Sequence, residues 1–526
     1  MLKRFDPALA SEKWDAIFVG SGPGSLTAAA MLARAGQRVL VLERHYEVGG
    51  FSHTFKRKGY EWDVGVHYIG VVHKERGVER RLFDYVSDGR IAWAPMGEPY
   101  DRAIIDGEVY DFVPGAENQL DLWCSYFPDE RAAIHRYWEM VRECARAAQP
   151  FFGQRALPGW IGAAATPFMT RKFDKYARRT TYDVLKSLTD DERLIEVLCA
   201  QCGDYGLPPR ESSFAIHAMV ANHYRDGGNY PVGGAARIAL GIVEAIESRG
   251  GVVSVRAPVV KVVVERNKAV GVELEGGDIV RAPRIVSGIG VRNTFERLVP
   301  DTVELPPRIV RDLDQIKPSY GHCCLYLGLN ASAESLGLPK YNYWCYDPRT
   351  GGAEPGTRIP AAYISFPSAK DPEWTSTHGE TATVQCIGFG GFDDFAPWAD
   401  APWRRRGDDY EAVKEAFKGT MLAILGGLHA RVLQHIDWAE VSTPLSTAHF
   451  ANYSRGEIYA LEHTPDRFEL NWLKPRTFLP GLWLTGQDVV TAGIGGALMS
   501  GVVTASAILG KNVVNEVLNA DSADAA

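Results

Sequence analysis

The sequence predicts an α/β protein in which helices pack against a parallel sheet. Alanine-rich or apolar helical stretches lie at residues 26–35 and 236–249. Apolar or β-branched runs bounded by turn residues predict strands at 15–19, 39–42, 252–255, 259–265, 269–274 and 284–288. Strands that alternate with helices are typical of doubly wound folds. At roughly 150 residues per domain, the 526 residues predict two to four structural units.

The composition excludes several classes of protein. The chain is 46% hydrophobic and 23% charged, which is ordinary for a globular protein and not for a disordered or fibrous one. A net charge of −8 gives no general attraction to nucleic acid, so we expect no nucleic-acid partner. Eight cysteines in 526 residues are too few for a disulfide scaffold, and residues 1–14 lack an apolar leader segment. We therefore expect a protein of a reducing, cytoplasmic environment.

The turn after the first strand has the spacing of a dinucleotide-binding loop. Gly20 permits a tight turn, and Gly22 lets the backbone approach a pyrophosphate at the N-terminus of the following helix. Glu43 follows the second strand, where a carboxylate can accept from a ribose diol. Ser25 replaces the third glycine of the motif, so helix and strand are expected to lie slightly farther apart. The predicted contacts in this segment are Gly20, Gly22, Pro23, Gly24, Ser25 and Glu43.

Two later segments favour a flavin over a nicotinamide dinucleotide. Gly49 and Gly50 offer a second close approach of the backbone. A buried strand near the C-terminus leads to Asp488, which can bond ribityl or pyrophosphate-linked hydroxyls. The small-residue helix after it can face the pyrimidine edge of a flavin. Because FAD is long enough to need this third contact, the sequence predicts FAD. The further predicted contacts are Gly49, Gly50, Phe51, Ser52, Val259, Gly486, Asp488, Gly495 and Ala497.

Motifs along nearly the whole chain carry a family likeness. They are residues 20–25, 43, 49–50, 63–70, 213–218, 222–224, 230–234, 366–372, 474–477 and 484–488. In these motifs the sequence resembles the FAD-dependent phytoene desaturase superfamily, and most of all its retinol saturase and carotenoid isomerase branch. The resemblance implies a discontinuous, Rossmann-type FAD-binding domain interleaved with an α+β substrate domain. It also implies an enzyme that acts on long, apolar, unsaturated chains.

One position departs from that superfamily. Many of its members carry arginine after the glycine pair, where the side chain can contact the pyrophosphate, and here the residue is Phe51. The phosphate charge would then be met by Arg44 or by backbone groups alone.

The reaction that the resemblance implies needs one protein group to give or take a proton. A hydrocarbon C–H bond has no usable acidity, so the cofactor must carry the hydride step, and the protein supplies an apolar tunnel and a proton. His67 is the first candidate, because it follows the turn at 63–65 that the resemblance places near the flavin. His223 and Tyr224 come second. For each of these residues the alternative is a hydrogen-bonded position in the core.

A membrane contact is predicted for residues 156–179. The uncharged stretch 156–170 is too short to span a bilayer, but it lies beside a basic cluster in which Lys175, Arg178 and Arg179 share one predicted helical face. The alternative is a basic helix that simply faces solvent. We favour membrane contact because the substrate class implied by the resemblance is apolar. The uncharged stretch 489–510 has the length of a span, but its glycine, serine and threonine content favours packing inside the protein.

The spacing of Cys199, Cys202, His217 and His223 falls within the range for tetrahedral zinc. Residues 194–202 read as a buried helix with both thiols on one face, and both histidines lie in motifs of the flavoenzyme resemblance. We therefore expect core cysteines and no metal site, and the pair also lacks the βαβ context of a redox CxxC motif.

We expect residues 14–75, 230–300 and 440–515 to form the FAD-binding domain, and residues 76–229 and 301–439 the substrate- and membrane-facing domain. No second dinucleotide unit is evident, so the electron partner stays open among oxygen, a quinone and another protein.

The predicted function is an FAD-dependent oxidoreductase that introduces or removes a C=C bond, by hydride transfer at flavin N5, in a fatty acyl lipid, retinoid or carotenoid. A redox-neutral polyene cis–trans isomerase and a non-catalytic lipid-binding flavoprotein remain as alternatives. The predicted location is cytoplasmic, with peripheral association at a membrane.

Overall fold

The structure, a computed structural model, describes residues 2–347 and 354–523. The strands are β1 (Lys3–Arg4), β2 (Ala16–Val19), β3 (Val39–Leu42), β4 (Thr54–Arg57), β5 (Tyr60–Asp63), β6 (Trp93–Pro95), β7 (Asp101–Ile105), β8 (Glu108–Phe112), β9 (Asn229–Pro231), β10 (Val252–Val255), β11 (Val259–Glu265), β12 (Lys268–Leu274), β13 (Ile279–Arg281), β14 (Ile285–Ser287), β15 (Gly321–Leu329), β16 (Asn342–Tyr346), β17 (Ala362–Ser365), β18 (Ala382–Gly390), β19 (Ile436–Ser442) and β20 (Leu482–Leu484). The α-helices are α1 (Pro23–Arg34), α2 (Val78–Ser87), α3 (Ala116–Tyr126), α4 (Arg131–Gly153), α5 (Gly159–Ala177), α6 (Thr181–Lys186), α7 (Glu192–Leu198), α8 (Phe214–His223), α9 (Ala236–Glu247), α10 (Pro307–Gln315), α11 (Ala333–Leu336), α12 (Pro367–Lys370), α13 (Trp374–His378), α14 (Asp408–Leu428), α15 (Pro444–Ala451), α16 (Gly493–Leu509) and α17 (Val513–Ala523).

A six-stranded sheet gathers distant parts of the chain. Its order is β1-β10-β3-β2-β14-β20, and every neighbouring pair is parallel. Strands β2, β3 and β14 are buried along their whole length, as expected for a parallel sheet covered on both faces. Helix α1 packs against α9 and α16. The sheet thus brings the first glycine turn and the C-terminal segment to one edge.

A second, seven-stranded sheet is mixed. Its order is β19-β15-β18-β17-β16-β7-β8, and all its pairs are antiparallel except β16 with β7. Helix α14 packs against this sheet, and α4, α5 and α8 pack against one another in a helical layer. The α/β class with two interleaved sheets agrees with the predicted fold class. The predicted domain boundaries stay predictions, and β19 in the second sheet crosses the expected boundary at residue 440.

Several predicted elements differ in their ends. Helix α1 begins at Pro23, three residues earlier than expected, because Pro23 suits the first turn of a helix and Gly22 caps it. Helix α7 ends at Leu198, so Cys199 lies at its C-cap and Cys202 begins a separate 3-10 helix, and the two thiols do not share one helical face.

Within the described ranges, no single helix is long and apolar enough to cross a membrane. One bent pair, Gly493–Leu509 with Val513–Asn519 at 110°, meets the length and composition together.

Candidate functional site

The turn between β2 and α1 uses its three glycines differently. Gly20 has φ +87°, and a Cβ atom there would meet Ile289 at 2.8 Å. A Cβ at Gly24 would come within 2.8 Å of the Gly486 nitrogen. Gly22 has φ −61° and no atom beyond its chain neighbours within 4 Å of its Cβ position. At Gly20 and Gly24 a side chain would clash with the protein itself, so the fold alone requires glycine there. Gly22 instead faces a cavity, and the absence of a side chain suits close approach of a ligand.

Glu43 is held at the edge of the sheet by this turn. Its Oε2 atom accepts from the Ser21 N–H at 2.8 Å and from the Ser21 hydroxyl at 2.6 Å. Its Oε1 atom accepts from the His45 N–H at 2.7 Å. Each carboxylate oxygen has two lone pairs, so Oε2 is saturated and Oε1 can accept one further hydroxyl donor. Glu43 lies on the wall of the cavity, where the predicted ribose contact remains a prediction.

The second glycine pair lies directly beside the first turn. The Gly49 N–H donates to the Ser21 hydroxyl at 3.0 Å, and Gly49 has φ +110°. A Cβ at Gly50 would lie 3.4 Å from the Gly22 Cα atom. The ring of Phe51 lies nearly parallel to that of Tyr453, with centroids 6.0 Å apart. The two glycine turns therefore lie side by side and form one continuous part of the cavity wall.

Most predicted cofactor contacts line this cavity. Those on its wall are Gly20, Gly22, Pro23, Gly24, Glu43, Arg44, Gly50, Phe51, Ser52, Val259, Gly486, Asp488, Gly495 and Ala497. Ser25 and Gly49 are buried just behind the wall, and their contacts with a cofactor stay predictions. The Ser25 hydroxyl lies only 2.0 Å from where a Cβ at Gly288 would be. The Ser25 side chain therefore fits because the facing residue, Gly288, has no side chain.

Two predicted ligand-binding side chains are already bonded to protein. Arg44 donates from one nitrogen to the carbonyls of residues 449–450, at 2.8 and 2.7 Å. The carboxylate of Asp488 accepts from the Val291 N–H at 2.8 Å and from the Leu461 N–H at 3.1 Å. These bonds give both residues a structural role, and their contacts with a cofactor stay predictions.

Arg467 is a structural residue that the sequence did not reveal. It is 2% exposed and donates to the carbonyls of Leu461 at 2.8 Å, Gln487 at 2.8 Å and Asp488 at 3.1 Å. The Asp488 carboxylate lies 3.5 Å away and offsets the buried charge. Arg467 thus fixes the segment between β20 and α16 against the cavity.

The two candidate histidines both lie on the cavity wall and both are uncharged. Burial, together with the nearby Lys370 charge, lowers the pKa of His67 to about 3. Burial lowers the pKa of His223 to about 4. The His223 Nε2 atom accepts from the Gly70 N–H at 2.9 Å, which assigns the ring proton to Nδ1. The ring lies against Gly495 in the first turn of α16, since a Cβ there would be 3.4 Å from it.

Aromatic side chains surround the other end of the cavity. Tyr224 stacks on Tyr68 with centroids 4.3 Å apart and planes at 10°. Tyr363 and Trp344 lie beside them, with centroids 4.5 Å apart. The whole cavity has a volume of about 1500 Å³, above the roughly 300–1,000 Å³ of an ordinary small-molecule site. It has room for a dinucleotide and an extended apolar molecule together.

The cysteines and histidines with zinc-like spacing make other contacts. His217 bonds to the Tyr137 hydroxyl through Nε2 at 2.9 Å and to the Tyr205 hydroxyl through Nδ1 at 3.2 Å. Among residues 2–347 and 354–523, no group of three or more His, Cys, Asp or Glu side chains is placed to hold a metal ion. The spacing is therefore explained by core packing in this part of the chain.

The parallel sheet, the adjoining glycine turns and the large aromatic cavity define a flavoprotein of the Rossmann type. The chain belongs to the flavin-containing amine oxidoreductase family, which matches residues 26–509. It is an FAD-dependent oxidoreductase, and the cavity fits that cofactor at Gly22, where the fold leaves space that protein atoms do not fill.

Proteins of known activity resemble this chain over most of its length. It is 34% identical to all-trans-retinol 13,14-reductase of Danio rerio, over 95% of this chain and 87% of that protein. It is 26% identical to prolycopene isomerase 2 of an Oncidium hybrid, over 69% of this chain and 62% of that protein. Putrescine oxidase shares the fold, with a TM-score of 0.64 and 16% identity over 95% of this chain and 100% of that one.

Proposed function

We propose that this protein is an FAD-dependent saturase that adds two hydrogens across one C=C bond of a retinoid- or carotenoid-like polyene. The observation that carries the proposal is a single cavity running from the glycine turns to an aromatic-walled end. Similarity to all-trans-retinol 13,14-reductase supports this class of substrate and this direction. Bound FAD supplies the hydride chemistry, and the protein aligns the polyene and provides the proton.

The shape of the aromatic end suits a conjugated chain. The flat rings of Tyr68, Tyr224 and Trp344 offer stacking surfaces, and an oily chain leaves water when it enters. His67 and His223 are held uncharged, so they do not place a cation beside the substrate.

The test is an anaerobic single turnover of the flavin-loaded protein, chemically reduced and mixed with all-trans-retinol. We expect re-oxidation of the flavin, loss of polyene absorbance and a product heavier by two hydrogens. Similarity to prolycopene isomerase favours a second candidate, a redox-neutral cis–trans isomerase. A product of unchanged mass from a poly-cis carotene, with the flavin still reduced, would establish that candidate instead. If neither polyene reacts, both proposals fail for these substrates.

We also propose peripheral attachment to an anionic membrane through α5 and the turn before it. Phe168 is 86% exposed and Ile161 36% exposed. Arg171 and Lys172 follow them and are exposed, and no ion pair is found for either among the described residues. The side chains of Gly159, Trp160, Ala163 and Ala164 lie outside the described part of the chain.

Two further observations support and refine this attachment. Leu157, Pro158 and Met169 lie on the cavity wall, so α5 borders a route by which an oily substrate could enter. Arg178, expected to share a cationic face with Lys175 and Arg179, lies at the C-cap of α5 and pairs with Glu469 at 3.4 Å. Because the Arg178 side chain is still 60% exposed, Arg171 and Lys172 add to it as cations that face solvent.

Flotation with phosphatidylserine vesicles tests this attachment. Each cation near such a surface contributes about 1 kcal/mol, so removing both in Arg171→Gln/Lys172→Gln should weaken binding roughly 30-fold. Phe168→Ser should also weaken it. The control is Leu433→Ser, at a leucine 42% exposed elsewhere. Equal binding by all variants, or equal binding to neutral vesicles, would contradict the proposal.

A further inference from the structure

A buried pair of carboxyl groups adjoins the aromatic end of the cavity, and no motif in the sequence pointed to it. The Tyr68 hydroxyl lies 2.8 Å from Oδ2 of Asp101 and 3.0 Å from Oδ2 of Asp204. Asp101 is fully buried, whereas Asp204 is partly accessible and lies on the cavity wall. Asp101 is thus sealed inside the protein, and Asp204 is open to the cavity.

Burial raises the pKa of Asp101, but the donors around it lower the pKa again because they stabilise the ionised carboxylate. It accepts from Gln201 Nε2 at 2.7 Å, from Trp344 Nε1 at 3.0 Å and from Asn342 Nδ2 at 2.7 Å. These nitrogen groups can only donate, so they stabilise the negative form.

Lys370 fixes the orientation of the Asn342 amide in this cluster. This lysine is 1% exposed and donates to Asn342 Oδ1 at 2.5 Å and to the Ser365 hydroxyl at 2.7 Å. The Asn342 oxygen therefore points to Lys370 and its NH₂ group to Asp101. Burial lowers the pKa of Lys370 to about 7.

The proton count then assigns the state of Asp204. Tyr68 has one hydroxyl proton and donates it to the ionised Asp101. The second short contact, from Tyr68 to Asp204, therefore needs a proton from Asp204 itself. Burial raises the pKa of Asp204 well above its usual range, and the charge of Asp101 raises it further. Asp204 is a neutral carboxylic acid at the cavity wall.

A chain of contacts connects this acid to the cofactor side. Tyr68 stacks on Tyr224, whose ring centroid lies 4.7 Å from that of His223. His223 in turn lies against Gly495 at the first turn of α16. A polyene lying along these rings would therefore reach both Asp204 and the flavin end of the cavity.

We propose that Asp204 is the acid that protonates the polyene during saturation, with Tyr68 and Asp101 as positioning residues. This inference rests on the proposed function. The π bond breaks, and one carbon receives a hydride and its electron pair from the reduced flavin. The other carbon receives the proton as the O–H bond of Asp204 breaks. The substrate is reduced by two electrons and the flavin is oxidised by two, and Asp204 is left as a carboxylate that regains a proton from solvent.

Neither histidine fits this role as well. His67 and His223 are both uncharged, because burial lowers the pKa of each. A neutral imidazole gives up its N–H proton far less readily than a carboxylic acid. Asp204 therefore replaces both as the expected proton donor.

The test compares Asp204→Asn, which keeps the shape but has no acidic proton, with Asp204→Glu, which keeps the acid. General acid catalysis contributes about 10²–10⁴-fold, so Asp204→Asn should slow flavin re-oxidation in the single-turnover assay at least about 100-fold. Asp204→Glu should recover part of this loss. Flavin content and polyene binding should stay unchanged in both variants. The control is Asp190→Asn, at an aspartate 99% exposed on the surface.

A second measurement does not depend on turnover. Infrared spectra of the flavin-loaded protein at pH 8 should contain the C=O band of a protonated carboxylic acid that shifts in D₂O. Asp204→Asn should lack it, and Asp190→Asn should retain it. If Asp204→Asn reacts within a few-fold of the unaltered protein, or the band survives this substitution, the inference is wrong. Failure of the unaltered protein to reduce any polyene, with the band present and lost in Asp204→Asn, would instead refute the proposed function.

Discussion

Substitution of Gly22 should affect cofactor binding strongly and the stability of the apoprotein only slightly. The residue has φ −61° and ψ 162°, which valine adopts without strain, and no atom beyond its chain neighbours lies within 4 Å of its Cβ position. Restricting the unfolded chain should stabilise Gly22→Val by about 0.4–1 kcal/mol. Gly22 is also the N-cap of α1, where valine costs about as much. The apoprotein stability should therefore change by less than about 1 kcal/mol.

The cofactor should respond quite differently. A side chain at Gly22 fills the space where the pyrophosphate approaches the backbone, so we expect colourless protein. Flavin at 100 times its dissociation constant stabilises a protein by about 2.7 kcal/mol, and the variant should lose that increment. Flavin absorbance per chain and thermal unfolding with and without added FAD measure both effects.

Gly24→Ala is the matched control for this experiment. Its new Cβ would lie 2.8 Å from the Gly486 nitrogen and 3.1 Å from the Ala497 carbonyl oxygen, which are backbone atoms that cannot move aside easily. Overpacking of this kind costs about 1–3 kcal/mol, so the apoprotein itself should be destabilised. Fully flavinated, yellow Gly22→Val protein would refute the assignment of the pyrophosphate site.

Three further outcomes are expected. All eight cysteines are buried, so a thiol reagent at pH 8 should detect none in the native protein and eight after denaturation; rapid native labelling would contradict the packing. NMR signals of His67 and His223 should not titrate between pH 8 and 5.5, because burial lowers their pKa values to about 3 and 4; a midpoint near 6.5 would show that the rings are solvated. Arg467→Met should destabilise the fold by about 3–5 kcal/mol in denaturant unfolding, since it leaves Asp488 as an uncompensated buried charge; an unchanged midpoint would contradict its structural role.

The glycine turn could be read from the sequence because its parts are close together in the chain. Residues 16–43 form strand, turn, helix, strand and acid in one continuous segment, so each position has its role in local backbone geometry. The close packing of Ser25 against Gly288, which lies in a distant segment of the chain, could not be read in this way. The ion pair of Arg178 with Glu469, which belongs to a distant segment, could not be read locally either.

The acid cluster could not be predicted, because its members are far apart in the sequence. Tyr68 and Asp204 are 136 positions apart, and Asp101 and Trp344 are 243 apart. Tyr68 lies within a recognised motif and Asp204 two residues beyond Cys202, but neither position signals a carboxyl pair. The mixed sheet sets β7 beside β16 and so brings Asp101 next to Trp344, and Tyr68 and Asp204 reach the cluster from segments outside that sheet.

The sequence by itself determined the dinucleotide turn and the flavin cofactor, because tight turns and helix ends depend on residues next to one another. The tertiary structure decided which side chains hold protons. His67, His223 and Asp204 are ordinary titratable residues in the sequence, and burial makes all three neutral, with the charge of Lys370 adding to the effect at His67 and that of Asp101 at Asp204. Their protonation follows from the cost of moving charge out of water, and that cost depends on neighbours that only the fold assembles.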